Sequence, residues 1–197
     1  NGTPRTFTIT VNPTAQVNSV NNQVACNGTN TTAIVFGTVN TGGATTYSWT
    51  NDNVTIGVAA SGTGNINAFA AVNTGTSPVT ATITVTPTFT NGGVSCTGPP
   101  TSFTITVNPT ATVNAVSNQV LCNGDATTAV SFGSTATGGT IVYNWTNSTP
   151  SIGLLASGNG DIASFTAVNT VTSPVTATIT VTPAYTNGGV TCNGTPR

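Results

Sequence analysis

The sequence predicts an all-β protein. The first observation is alternation. Within Ser77 to Asn108, the residues Val79, Ala81, Ile83, Val85 and Phe89 fall on one face and Thr80, Thr82, Thr84, Thr86, Thr88 and Thr90 on the other. This period of two marks a strand with one buried and one wet face. The second is punctuation, since Asn91-Gly92-Gly93 supplies the positive φ angles of a tight hairpin turn and Pro99-Pro100 breaks the return arm before Phe103, Ile105 and Val107. The third is internal repetition. Cys26 recurs as Cys122 and Cys96 as Cys192, so 122 − 26 = 96 and 192 − 96 = 96, and Ser77 to Pro87 returns letter for letter as Ser173 to Pro183.

Taken in order, the complete copy predicts seven strands. They lie near Gln16–Ala25, Thr32–Val39, Thr45–Thr50, Thr55–Ala60, Asn67–Asn73, Val79–Thr90 and Ser102–Asn108, separated by breakers such as Asn27-Gly28, Thr41-Gly42-Gly43 and Gly62-Thr63-Gly64. Nothing reads as a helix. About seven short strands in about 100 residues is the pattern of an immunoglobulin-like sandwich, here in tandem and arranged end to end. Trp49 and Trp145 fall on the third strand of each copy, where a core Trp belongs in such sandwiches, and Tyr47 and Tyr143 share their parity. All four are expected as core anchors; a sugar-stacking platform is the alternative for the tryptophans.

The copies are out of phase with the start of the sequence. Residues 1–13 correspond to Thr97–Pro109, the last strand of a copy, residues 14–109 form a complete copy, and residues 110–197 form a second that lacks its last strand. The sequence therefore reads as a piece of a longer tandem array. A sheet edge without its last strand is a pairing template. It would be filled from within the parent chain or by the assembly strand of a neighbour, with Phe7, Ile9 and Val11 turned inward.

Composition narrows the chemistry. Among 197 residues there are two Lys+Arg, three Asp+Glu and no His; the charged residues are Arg5, Arg197, Asp52, Asp125 and Asp161. Acid–base, nucleophilic and phosphate-binding sites need such groups placed together, so the sequence predicts no enzyme, no catalytic residues and no cofactor. Nucleic-acid binding lacks its basic footprint. No apolar run approaches the length of a membrane span. Calcium wants several carboxylates, and Asp125 and Asp161 align with Thr29 and Asn65, so the aspartates read as turn formers and no metal site is expected. The triplets at Asn27, Asn30, Asn53, Asn144 and Asn147 match glycosylation acceptors, as chance alone provides in a Thr/Asn-rich chain.

Four cysteines in such a chain point to an oxidising, extracellular setting and allow three pairings. The simplest is within each copy, Cys26–Cys96 and Cys122–Cys192. Alternating strand directions place Cys26 and Cys96 at opposite ends of one sandwich, far beyond the reach of a disulfide. The same directions favour Cys26–Cys192 across the junction of the copies, with Cys96 and Cys122 directed to neighbours.

The string Y-S-W-T-N, A-S-G-T-G-N-I, S-P-V-T-A-T-I-T-V-T-P, N-G-G-V-x-C and F-T-I-T-V-N-P resembles the PKD-like tandem repeats of giant cell-surface proteins of Bacteroidetes. The resemblance covers both copies. The family motif Y-x-W-D-F-G-D-G is kept at Tyr47 and Trp49, with T-N-D-N in place of its acidic part. It implies an immunoglobulin-like fold and a place in long adhesins of the cell surface, often exported by the type IX system and associated with gliding motility.

The leading functional expectation is a structural stalk or filament module, stacked through V-N-P links that Pro13 and Pro109 stiffen. Its partners would be neighbouring repeats of the same chain or identical chains in a filament. A carbohydrate-binding or spacer module is the alternative, and ice or surface binding through the Thr rows a minor one. The adhesion target is not written in the sequence.

Overall fold

The computed structural model describes residues 2–197; Asn1, the first residue of the expected terminal strand, lies outside them. Among the described residues there are ten strands. These are β1 (Gln23–Cys26), β2 (Ala44–Asn51), β3 (Ser61–Thr63), β4 (Val79–Asn91), β5 (Val94–Thr97), β6 (Thr101–Asn108), β7 (Thr140–Asn147), β8 (Ser157–Asn159), β9 (Ile179–Asn187) and β10 (Val190–Asn193). They form a six-stranded mixed sheet, in order β1-β6-β4-β2-β3 with β5 beside β4, and a four-stranded antiparallel sheet, in order β10-β9-β7-β8. The fold is thus nearly all β.

The chain divides into two compact units. One comprises Asn1–Gln23, Asn30–Phe69 and Thr80–Ile105; the other comprises Val24–Thr29, Ala70–Val79 and Thr106–Arg197.

β4 forms as its alternation predicts. Ala81, Ile83, Val85, Pro87 and Phe89 are buried and the threonines between them half-buried. The hairpin closes with Asn91 opposite Val94 over Gly92 and Gly93, at φ 58° and 76°, both in the region that only glycine enters freely. β2 takes one edge of β4, so β5 and β6 share the other, broken by Gly98-Pro99-Pro100. Pro87 faces that break. Its carbonyl accepts the Gly98 N–H at 2.9 Å, and its missing donor costs the ladder nothing there. A Cβ on Gly98 would stand 1.8 Å from the Ala15 carbonyl oxygen, so the close approach requires glycine. The second copy repeats both features at Pro183, Gly194 and Ala111.

Several expected strands take another form. The Thr32–Val39 and Asn67–Asn73 segments meet only through the Ile34–Ile66 bridge and single bonds such as Thr31 N–H to the Phe69 carbonyl at 2.9 Å. Gln16–Ala25 shrinks to β1, and the Thr55–Ala60 strand is replaced by a single 3-10 turn at Val54–Ile56 followed by β3. A matching turn at Pro150–Ile152 also departs from the reading without helices.

Side-chain amides explain these changes, because they occupy backbone groups that a ladder would have used. Asn51 Nδ2 donates to the carbonyls of Asn53, Val58 and Ala59, and Asn53 Oδ1 accepts the Thr55 N–H at the start of the 3-10 turn. Asn40 accepts the Gln16 N–H and donates to the Thr14 carbonyl, while Gln23 bonds both the N–H and the carbonyl of Thr32.

Candidate functional site

The two sequence copies differ most along one sheet edge. In the first, β6 lies between β1 and β4, and Phe103, Ile105 and Val107 are buried. β4 starts at Val79, whose counterpart is residue 79 + 96 = 175, yet β9 starts at Ile179. The counterparts of β1, residues 119–122, form no strand at all. Both losses have one cause. Residues 79–82 lie beyond the stretch of β4 paired with β2, and β6 also holds β1 in the sheet. No strand beside β9 plays that part among the described residues.

The consequence is an open groove of about 670 Å³ in the second unit, with Val130, Phe132, Ile152, Phe165, Ala167 and Ile179 along it. Ile56 and Ala71 are fully buried in the first copy, whereas their counterparts Ile152 and Ala167 are half-buried. A buried floor of Val113, Trp145, Ile162 and Val181 lies behind the groove. Arg197 fixes one end: its N–H and carbonyl exchange bonds with Val181 at 2.9 and 2.8 Å, and its guanidinium donates to the Val113 carbonyl at 3.2 Å. This pairing is the first copy's register carried forward. There, Ser102 and Thr84 hydroxyls meet at 3.0 Å across β6 and β4, which puts residue 101 opposite residue 85; adding 96 to each gives 197 opposite 181.

Residues 5–12, R-T-F-T-I-T-V-N, nearly match β6, T-S-F-T-I-T-V-N. They belong to no strand in this chain, and Phe7, Ile9 and Val11 are 85%, 80% and 87% exposed. Phe103, Ile105 and Val107 are 3%, 0% and 0% exposed. The same apolar pattern is thus exposed at residues 7–11 and buried at residues 103–107.

The cysteines settle into one bond, Cys26–Cys192, with Cα atoms 5.5 Å apart and 166 residues between them in sequence. The alternative within-copy pairings are not formed. Both partners lie in the second unit, so the bond ties a segment of the first sequence copy into it. Cys96 is half-buried and Cys122 exposed, both as free thiols.

Trp49 and Trp145 are buried, each opposite a glycine, Gly62 or Gly158, whose missing Cβ leaves room for the indole. Tyr47 and Tyr143 are half-buried beside Phe36 and Phe132, at 5.5 and 5.6 Å between ring centroids. Burial raises the pKa of both phenols. Each aspartate accepts a backbone N–H: Asp52 from Thr82, Asp125 from Cys122 and Asp161 from Phe132. The Phe132 N–H, then the Ser131 side chain, hold the Asp161 carboxyl below its ordinary value. Among the described residues, no three of His, Cys, Asp or Glu come together in a group suited to a metal ion, and no helix is long and apolar enough to cross a membrane.

Reciprocal asparagine pairs close the chain at both copies, Asn12 with Asn91 and Asn108 with Asn187. Sequence reasoning passed over them, although all four residues obey the 96-residue offset and stand beside the Pro and Gly punctuation.

No family model matches the chain, and no curated protein matches it.

Proposed function

We propose that this chain is a non-catalytic structural repeat from the stalk or filament of a long extracellular bacterial adhesin, built from immunoglobulin-like, PKD-like domains in tandem. The observation that carries this reading is the Cys26–Cys192 bond joining positions of successive sequence copies. A covalent tie between copies suits a load-bearing array, in which stability is shared between units and their junctions. The groove along β9 and the strand-like residues 5–12 fit the same purpose, because each copy of such an array draws its last strand from the segment before the next. Burial of Trp49 and Trp145 favours the stalk over sugar stacking, since a stacking platform needs an exposed ring face. The partners are neighbouring repeats of one chain or identical chains, and the setting is the cell surface.

Electron microscopy of the native protein tests the reading. Unbranched rods whose length grows in equal steps with the number of repeats are expected. Compact particles, or specific retention on a glycan array through the β2 and β7 faces, would overturn it.

A further inference from the structure

We propose that Asn91-Gly92 and Asn187-Gly188 are latent deamidation sites, and that Asn12 and Asn108 are the residues that keep them closed. Deamidation at an Asn-Gly step begins when the glycine nitrogen attacks the asparagine Cγ. That nitrogen gives its proton to solvent, Nδ2 leaves as ammonia, and a five-membered succinimide closes. Water then opens the ring to aspartate or isoaspartate, so one water is consumed and one ammonia released. Glycine favours the step because no side chain restricts its approach.

The Asn-Gly steps among the described residues lie at Asn27, Asn91, Asn123, Asn159, Asn187 and Asn193. Most are held shut by the backbone. Gly28 donates to the Ala71 carbonyl at 2.7 Å, and Gly124, Gly160 and Gly194 donate to the carbonyls of Ala167, Tyr143 and Pro183 at 2.8 Å. A peptide plane fixed in this way does not turn its nitrogen onto the preceding side chain. Gly92 and Gly188 differ. They stand exposed at the tips of the β4–β5 and β9–β10 hairpins, and their N–H groups meet no acceptor among the described residues.

These two steps are the ones whose asparagine is clasped. Asn187 Nδ2 donates to Asn108 Oδ1 at 2.9 Å, which holds the amide that must swing onto Gly188. Asn108 Nδ2 donates to the Asn187 carbonyl at 3.1 Å, which holds the peptide whose nitrogen must attack. Cyclisation breaks both bonds. Asn12 guards Asn91 by the same two bonds, each at 3.0 Å. The guards are unequal, since Asn108 is fully buried while Asn12 is half-buried and shares its Nδ2 with the Val94 carbonyl at 3.3 Å. Asn91 is therefore the more labile site. Isoaspartate lengthens the main chain by one atom inside a two-glycine turn. At Asn187 that turn leads into β10, which carries Cys192, and it is packed so closely that a Cβ on Gly188 would stand 2.9 Å from Val24 Cγ2.

The test ages the 197-residue chain in mildly alkaline buffer and follows each Asn-Gly peptide by mass spectrometry, with chromatography that separates isoaspartate. The same chain reduced and unfolded in urea gives the unguarded rate. Asn91 and Asn187 are each expected to deamidate roughly tenfold to a hundredfold more slowly in the folded chain, the effect of two hydrogen bonds, with Asn187 the slower. Asn12→Ala, at a half-buried position, is expected to speed Asn91 by roughly tenfold and leave Asn187 and Asn159 unchanged. Asn108→Ala is expected to do the converse. The proposal is overturned if Asn91 and Asn187 deamidate in the folded wild-type chain as fast as in urea. It is equally overturned if Asn12→Ala leaves the rate at Asn91 unchanged.

Discussion

Asn108 and Asn187 hold each other by two bonds: Asn187 Nδ2 donates to Asn108 Oδ1 at 2.9 Å, and Asn108 Nδ2 donates to the Asn187 carbonyl at 3.1 Å. Asn12 and Asn91 repeat the clasp one copy earlier, both bonds at 3.0 Å. Asn108 is fully buried, so truncating either member strands a polar group out of water. Asn108→Ala is expected to lower stability by roughly 1–3 kcal/mol, with Asn187→Ala similar. Urea denaturation checks this, and a midpoint unchanged in both variants would contradict the clasp.

The clasp also shows where sequence reading stops. The strands β2, β4 and β6 were legible because their alternation and the Asn91-Gly92-Gly93 turn act locally. The Thr32–Val39 and Asn67–Asn73 segments alternate too, but the fold joins them by isolated bonds and by amides such as Gln23, and a side-chain amide's choice of partner leaves no periodic trace. The 96-residue offset made the edge beside β9 legible as a place where the two copies differ. Its depth was not, because opening Ile152 and Ala167 to the groove depends on packing across the unit.

The Trp–Gly pairs predict strain on substitution. A Cβ on Gly158 would stand 2.2 Å from Trp145 Cζ2, and one on Gly62 2.3 Å from the same atom of Trp49. Both rings are buried and have little room to give. Gly158→Ala and Gly62→Ala are each expected to cost roughly 1–3 kcal/mol, as overpacking does. Thermal melts followed by indole fluorescence read this directly.

Tyr185 is fully buried and its hydroxyl donates to the Thr137 carbonyl at 2.8 Å, where the first copy carries Phe89. Tyr185→Phe is expected to cost about 0.5–1.5 kcal/mol, the worth of one hydrogen bond. Burial raises the Tyr185, Tyr47 and Tyr143 pKa values, with Asp161 adding to the rise at Tyr143. A raised folded pKa means stability that is intact below the unfolded value of 10.0 and is lost as pH climbs through the folded values. Asp161 acts in the other direction. Its lowered pKa gives stability present above 3.8 and lost as pH falls through the folded value. Denaturation midpoints measured across pH are expected to fall at both extremes, and Asp161→Asn is expected to flatten the acid limb.

Reduction of Cys26–Cys192 opens a closure spanning 166 residues. Cys26→Ser is expected to lower stability by roughly 2–5 kcal/mol, whereas Cys96→Ser in the monomer leaves it unchanged. Calorimetry with and without reductant separates the two.

The most direct measurement is a high-resolution electron-microscopy map of the native protein at the edge formed by residues 174–181. A strand in antiparallel register there is predicted, with a phenylalanine opposite Ile179 and an isoleucine opposite Ala177. An edge left bare, or covered by a ligand or by a segment without the T-F-T-I-T-V-N pattern, would contradict strand completion as the principle by which these repeats assemble.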